Sequence, residues 1–157
     1  MKEVYPFLPK KYESLPGVHK TAYHNVELAT YLKKKKGGLI GKISVMNIGL
    51  QRAFLRAFFD DEGSVYFIGK RRAVRGYQHS VQILKLIHVL LKKFGIESKV
   101  DEKYNEITIT RRENIAQFSK EINFSKGVTV NGKRSNSVWK QSLEKRHILR
   151  QALASYA

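Results

Sequence analysis

Three consecutive acidic residues, Asp60, Asp61 and Glu62, stand at the end of a helical sequence pattern. Apolar or small side chains repeat there at the spacing of one helix face, at Leu50, Ala53, Phe54, Ala57 and Phe58. The negative end of a helix dipole disfavours carboxylates, yet these acids end a helix that we expect to be buried nearly all round. Carboxylate oxygens are the ligands that hard divalent cations such as Mg²⁺ prefer. The alternative is that the acids only end the helix in solvent.

The chain carries a strong excess of positive charge. Its 30 Lys and Arg against 13 Asp and Glu give a net charge of +17. Residues 1–45 hold 9 basic and 3 acidic residues, 46–127 hold 15 and 9, and 128–157 hold 6 and 1. Because the excess is spread along the chain, it favours a polyanionic partner, and nucleic acid is the first expectation. A lysine-rich soluble protein of a thermophile would show the same excess.

The composition excludes several classes of site. The chain has no cysteine, so disulfides and thiolate metal sites are ruled out, and three histidines at ligand spacing are also absent. No apolar run approaches the roughly 20 residues of a membrane span, and the N-terminal sequence lacks the apolar core of a signal peptide. With 157 residues, 42% of them hydrophobic, the chain can bury one core. We expect a cytoplasmic location and no membrane partner.

Hydrophobic periodicity and turn residues predict the order of secondary structure. Asn47 is placed as the N-cap of the central helix, and Gly95 as the residue that follows a helix end. The central helix is followed by two strands, a helix, a hairpin around Tyr104-Asn105 and a third helix, predicted at residues 64–69, 73–78, 80–94, 96–103 with 106–112, and 113–122. The predicted fold is therefore α+β, in the order αββαββα.

Three sections are expected along the chain. Residues 1–46 carry all three prolines and form a basic extended arm with a short helix over 25–36, which the lysine run ends. Residues 47–126 form the αββαββα core, and residues 127–157 form a C-terminal extension. The extension is predicted to contain a small hairpin with an Asn-Gly turn and a helix, at 128–135 and 139–153.

Residues 55–65, LRAFFDDEGSV, resemble the LAGLIDADG motif of the homing endonucleases. Five positions correspond to residues of that motif: Leu55, Ala57, Asp60, Glu62 and Gly63. Arg56 and Asp61 depart from it, since the motif usually has small residues there. The resemblance continues in residues 90–96 (LLKKFGI) and in the element order, and it covers about residues 47 to 150. It implies a four-stranded antiparallel sheet that forms a saddle over DNA.

The resemblance implies a nuclease site that uses Mg²⁺ at the tip of the central helix. Phosphodiester hydrolysis needs a cation that neutralises developing charge and activates water. Glu62 is the expected catalytic residue and metal ligand, and Asp61 joins it with its side chain or only its carbonyl. Asp60 is expected to organise the helix end.

The family also places a polar residue and a lysine around each metal. Gln78, with His79 beside it, fits the polar position at the end of the second strand. Lys126 fits the lysine just after the third helix, and Lys133 is the alternative. An ordinary surface lysine and a loop histidine would look the same in the sequence.

The sheet is the expected binding surface for double-stranded DNA. Arg and Lys side chains read guanine or hold phosphates, and alternation along the strands leaves open which face each residue occupies. The expected contacts are Lys70, Arg72, Arg75, Tyr77, Thr108, Thr110, Arg112, Lys133 and Arg134.

One chain carries one motif, whereas a cut through both DNA strands needs two. Family members with one motif pair as homodimers with the two helices side by side, and a two-fold dimer favours a near-palindromic site. The expected interface residues are Ala53, Phe54, Ala57 and Phe58. Alternatively, the chain corresponds to the second half of a two-motif member.

We therefore expect a site-specific DNA endonuclease of the homing type that acts as a homodimer with Mg²⁺. Two alternatives share the scaffold: a non-catalytic DNA-binding protein, such as a regulator or a degenerate endonuclease half, and an RNA maturase. The presence of Glu62 favours the endonuclease.

Overall fold

The computed structural model describes most of the chain, at residues 10–15, 18–22, 26–130 and 141–156. The chain divides into two compact units, Met1–Lys42 and Ile43–Ala157. Among the described helices, none combines the length and the apolar character that crossing a membrane would require.

The first unit contains a two-stranded sheet and one helix. Strand β1 (Lys10–Leu15) pairs antiparallel with β2 (Val18–Ala22), so part of the expected arm forms a hairpin. Helix α1 spans Val26–Lys42. The prediction that the lysine run ends this helix is wrong. Lysine is a good helix former and a glycine costs only about 1 kcal/mol, so the helix continues through the two glycines that follow the lysines.

The second unit begins with a 3₁₀ turn at Ile43–Val45 and then follows the predicted αββαββα order. The core elements are α2 (Ile48–Glu62), β3 (Gly63–Ile68), β4 (Arg71–Tyr77), α3 (Val81–Lys93), β5 (Lys99–Asp101), β6 (Glu106–Ile109) and α4 (Arg112–Glu121). Strands β3 to β6 form one antiparallel sheet in the order β3-β4-β6-β5. The predicted α+β fold with a four-stranded antiparallel sheet is confirmed.

Local sequence explains where α2 begins and α3 ends. Asn47 is the N-cap of α2, as predicted, and its Oδ1 accepts a hydrogen bond of 2.9 Å from the backbone N–H of Leu50. Gly95 follows α3 with a φ of 70°, a left-handed conformation that glycine adopts without steric cost. Gly95 and Ile96 donate their N–H groups to carbonyls of the last helical turn, which closes the helix.

The pleat of the sheet separates an apolar face from a polar one. Val65 pairs with Val74 on one side, and Ser64 pairs with Arg75 on the other. Helices cover the apolar face and build the core there. Its largest fully buried side chains include Leu55, Phe59, Leu84, Ile107, Phe118 and Phe124. The helices cover only this face of the sheet, so the opposite face is open to solvent.

The C-terminal part of the chain completes the same core. Strand β7 (Thr129–Val130) pairs with β8 (Leu143–Glu144), and helix α5 spans Lys145–Ala154. The predicted helix over 139–153 therefore begins later, because its expected start includes β8. The expected Asn-Gly turn and the tryptophan fall within 131–140, outside the described residues. Helix α5 packs on β3 and is anchored by three buried residues, Ile148, Leu149 and Ala152.

Two glycines accommodate α2 at the sheet in different ways. Gly63 and Gly76 pair across β3 and β4. A Cβ atom on Gly63 would lie 2.3 Å from the carbonyl oxygen of Phe59, and one on Gly76 would lie 2.6 Å from the ring of Phe58. Gly63 therefore allows the close approach of β3 to the last turn of the helix that it follows, and Gly76 allows the helix to pack directly on the sheet.

We predict that Gly63→Ala lowers the free energy of unfolding by about 1–3 kcal/mol, the usual cost of overpacking. The added methyl group meets backbone atoms of Phe59 that cannot move without displacing the helix end. Chemical denaturation measures the change. Gly38→Ala is the control, because a Cβ atom there meets nothing within 4 Å, and since Gly38 lies within α1 this change should raise the stability by up to about 1 kcal/mol. Equal stability of the two variants would contradict the close approach.

Candidate active site

The three acids at the C-terminal end of α2 have different environments. Asp60 is half-buried, and its Oδ1 accepts a hydrogen bond of 2.8 Å from the backbone N–H of Ser125. Asp61 and Glu62 are exposed. Asp60 is thus engaged in holding the helix end against the segment after α4, in agreement with the expected role. The two exposed carboxylates remain available for chemistry.

Lys145 neutralises the end of α2 from inside the protein. Its side chain is buried, and its Nζ donates to the carbonyl oxygen of Asp60 at 2.6 Å and to that of Phe59 at 3.4 Å. Burial lowers the pKa of Lys145, while the negative charges of Asp60, Asp61 and Glu62 act in the opposite direction. A positive group at the C-terminal end of a helix offsets the dipole that disfavours the acids.

Lys145 is not among the residues predicted from the sequence, because the helix expected over 139–153 places it within the helix and not at its start. In the structure, Lys145, Arg146 and His147 form the first turn of α5, which contains no acidic residue. Basic residues at the positive end of a helix are electrostatically unfavourable. The unfavourable position of Lys145 therefore becomes visible only where the structure shows that α5 begins there.

A second contact at the other side of α2 ties it to α4. Arg56 donates from Nε to the carbonyl oxygen of Ile122 at 2.8 Å, and Arg52 forms an ion pair of 2.9 Å with Glu121. Both acceptors lie at the C-terminal end of α4. Arg56, which departs from the motif, therefore caps the C-terminal end of α4 as Lys145 caps that of α2.

One face of α2 is open to solvent. Ala53 and Ala57 are exposed, Leu50 is 50% exposed and Phe54 is half-buried. The expectation that the helix is buried nearly all round is therefore wrong for the single chain. Phe58 does not share the open face, because its side chain is buried against the sheet.

Gln78 and Lys126 both lie near the end of α2. Gly63, the first residue of β3, pairs with Gly76, so Gln78 leaves β4 at the end of the sheet where the acids enter β3. Lys126 is exposed and follows Ser125, whose N–H contacts Asp60. The structure thus places the two predicted residues on segments adjacent to the acids.

Asp61 and Glu62 suit a hard divalent cation by their chemistry, since both offer exposed carboxylate oxygens. The part of the chain that the structure describes contains no group of three or more His, Cys, Asp or Glu side chains that could hold a metal ion. A cation held by these two carboxylates would take its other ligands from water, from a substrate or from another chain.

The open face of the sheet carries charged and polar side chains. Arg75 donates from Nε to Oε1 of Glu106 at 2.7 Å and from Nη2 to Oε2, and Thr108 donates to the same carboxylate at 2.9 Å. The hydrogen bond to Glu106 raises the pKa of Arg75. These residues line a groove of about 230 Å³ together with Lys99, Asp101, Tyr104 and Thr110. Predicted contacts from two strands therefore meet in one groove.

Arg72 lies on the other face of the sheet. It pairs with Phe67, and its guanidinium donates to the hydroxyl and carbonyl oxygens of Ser155 at 2.6 and 2.8 Å. Its Cζ lies 5.2 Å from the ring centre of Phe67 and 4.8 Å from that of Tyr156. Arg72 thus anchors the end of α5 and does not join the predicted contacts on the open face.

The remaining predicted DNA contacts lie at the margins of the open face. Lys70 in the β3–β4 turn and Arg112 at the start of α4 are exposed. Tyr77 is also exposed, and its hydroxyl lies 3.2 Å from Nδ1 of His79. Two predicted contacts, Lys133 and Arg134, lie outside the described residues.

Fold and site together define an α+β domain whose central helix presents two carboxylates at the edge of an open polar sheet. The family model of the LAGLIDADG-like domain matches residues 49–123. Residues 49–123 are therefore a LAGLIDADG-like domain, which agrees with the predicted resemblance to the LAGLIDADG homing endonucleases over this part of the chain. Comparisons with curated proteins and with solved structures gave no significant match. The matched range includes α2 and the sheet but not Lys145.

We predict that Lys145→Met lowers the free energy of unfolding by about 1–3 kcal/mol. The methionine has a similar length but leaves the carbonyl oxygen of Asp60 without its donor from Lys145, whereas that of Phe59 keeps the N–H of Gly63. Denaturation by urea measures the change, with Lys92→Met as control because Lys92 is exposed on α3. A loss no larger than that of the control would show that Lys145 does not hold the helix end.

Proposed function

We propose that this protein is a site-specific endonuclease of the homing type that cuts both strands of duplex DNA as a homodimer with Mg²⁺, in the cytoplasm. The proposal rests on one observation: the three acids at the end of α2 have different environments. Asp60 is used in the fold, whereas Asp61 and Glu62 are exposed at the end of a helix that Lys145 holds in place. A family of DNA endonucleases is the context in which such carboxylates have a role.

Glu62 and Asp61 are the residues that would hold the cation. When bound, Mg²⁺ supplies charge neutralisation at the phosphate and activation of water. The chain itself holds the backbone from which the two carboxylates project, because Asp60 and Lys145 anchor the end of the helix. Exposure of both side chains leaves them within reach of a substrate that approaches the end of α2.

Gln78 and Lys126 are proposed as the polar residue and the lysine beside the reacting phosphate. Their support is their position on segments next to the acids. A lysine near a phosphate favours the negative charge that develops there, and an amide can orient a water molecule. Lys145 contributes from within the protein as a positioning residue for the acids.

Pairing of two chains is supported by the open face of α2. Leu50, Ala53 and Ala57 follow helical spacing along this face, and Asp61 continues it four residues further. The small side chains of Ala53 and Ala57 allow another helix to approach closely. Two copies in contact along this face would bring their acids to the same seam, which supplies one set of carboxylates for each DNA strand.

The open face of the sheet is the proposed surface for the DNA duplex. Arg75, Lys99 and Thr108 line its groove, where base edges and phosphates offer matching acceptors. Glu106 holds Arg75 in a fixed orientation through two hydrogen bonds. A guanidinium group in a fixed orientation favours recognition of a particular base over sequence-independent attraction to phosphates. Lys70, Tyr77, Thr110 and Arg112 are proposed contacts at its margins.

We predict that Glu62→Gln lowers the rate of cleavage about 1,000-fold or more while DNA binding is kept. Loss of a metal ligand removes several kcal/mol of transition-state stabilisation, and each 1.4 kcal/mol is tenfold in rate. The assay is cleavage of a plasmid library with Mg²⁺, followed by mapping of the cut site.

The matched control is Glu113→Gln, which neutralises an exposed acid in the first turn of α4. Cleavage that persists in Glu62→Gln would contradict the proposed role of Glu62. Binding of duplex DNA without any cleavage by the unmodified protein would contradict the endonuclease and favour a DNA-binding regulator.

We predict that Ala57→Arg prevents self-association. Ala57 is exposed in the single chain, so the fold tolerates the larger side chain, but two arginines would meet at the seam between paired helices. Sedimentation at micromolar concentration compares this variant with Ala116→Arg, which adds the same charge at an exposed position of α4. A monomeric unmodified protein would contradict pairing through this face.

A further inference from the structure

A second basic groove lies between α4 and α5. It has a volume of about 300 Å³ and is lined by Ser119, Asn123, Lys126, Glu144, Arg146 and Arg150. Helix α5 packs with Ile148 and Leu149 against the covered side of β3. The groove therefore belongs to the helical layer and not to the open face of the sheet.

The positive charges of this groove are not paired with acids of the described part of the chain. Within the described residues, no acid forms an ion pair with Lys126, Arg146 or Arg150. Glu144 is the one acid among the lining residues, and its Oε1 accepts a hydrogen bond of 3.2 Å from the N–H of Gly127. Three cations against one acid leave two positive charges in excess.

The two arginines do not stabilise the helix that carries them. Arg146 and Arg150 are four residues apart on α5, and like charges at that spacing repel each other across one helical turn. Arg146 also lies in the first turn, where the helix dipole disfavours positive charge. An anion bound between the two guanidinium groups would offset both effects.

The groove begins close to the acids of α2. Lys126 lies at one side of it and directly follows Ser125, whose N–H contacts Asp60. From Arg146 to Arg150 the helix rises about 6 Å, at about 1.5 Å per residue, which is comparable to the separation of neighbouring phosphates on one strand. The planar fork of arginine matches a phosphate with two parallel hydrogen bonds.

We infer that this groove binds backbone phosphates of the DNA duplex outside the sheet face. Arg146 and Arg150 contact neighbouring phosphates of the strand that leaves the acids, and Lys126 stands at the end nearest the cut. The inference rests on the proposed function and extends it with a second contact surface. It assigns positioning of the strand to α5, which lies outside the range that matches the family.

The test is the salt dependence of binding to a DNA duplex of random sequence. Each phosphate contact contributes about 0.9 to the slope of log K against log salt concentration. The double variant Arg146→Gln/Arg150→Gln should therefore show a slope that is shallower by about 2. The control Lys92→Gln/Lys93→Gln removes the same charge from exposed positions on α3 that form no ion pair among the described residues, and it should change the slope by less than half as much.

All proteins in this test also carry Glu62→Gln, so that cleavage does not disturb binding, and thermal unfolding confirms that each is folded. Equal slopes for the two double variants would overturn the inference. So would a loss confined to single-stranded RNA of the same length, with unchanged binding of the duplex. Cleavage tests the proposed function, whereas the salt dependence of binding tests this inference, so the two failures can be told apart.

Discussion

The contact between the Lys145 ammonium group and the last carbonyl groups of α2 is the interaction on which the site depends. A helix that ends in three acids accumulates negative charge at its negative end. The buried lysine offsets that charge from behind, and Asp60 ties the same turn to the backbone of Ser125. Asp61 and Glu62 can then point to solvent without an ion pair among the described residues. Lys145 and Asp60 thus stabilise the end of the helix, whereas Asp61 and Glu62 stay exposed to solvent.

Much of the fold could be predicted because its signals are local. The helix rhythm, the N-cap Asn47 and the closing Gly95 are each determined within a few residues, and all three appear in the structure. The position of the candidate site was predictable in part, since Asp61, Glu62 and Gln78 are placed by one helix and one strand. Resemblance to a known motif supplied what spacing alone did not, namely the roles of these residues.

Other features depend on contacts far apart in the sequence, which no local pattern reveals. Lys145 lies 85 residues from its acceptor Asp60. Alternation along β4 separates Arg72 from Arg75, but only the packing of α5 decides that the face of Arg72 is the covered one. The prediction that α1 ends at the lysine run is wrong because a lysine run can also continue a helix. The prediction of Phe58 as an interface residue is wrong because helix periodicity does not distinguish the face that packs on the sheet from the neighbouring open face.

The capping of α2 by a residue of α5 has a consequence for how such domains can be moved between proteins. The range that matches the family contains the motif helix and the sheet, but the last turn of that helix is capped by a side chain outside the range. A transplanted copy that stops at residue 123 would leave the carbonyl oxygen of Asp60 without the Lys145 donor and part of the β3 surface uncovered. A transplanted copy that keeps the end of α2 capped must therefore include α5, so the folded unit is longer than the range that matches the family.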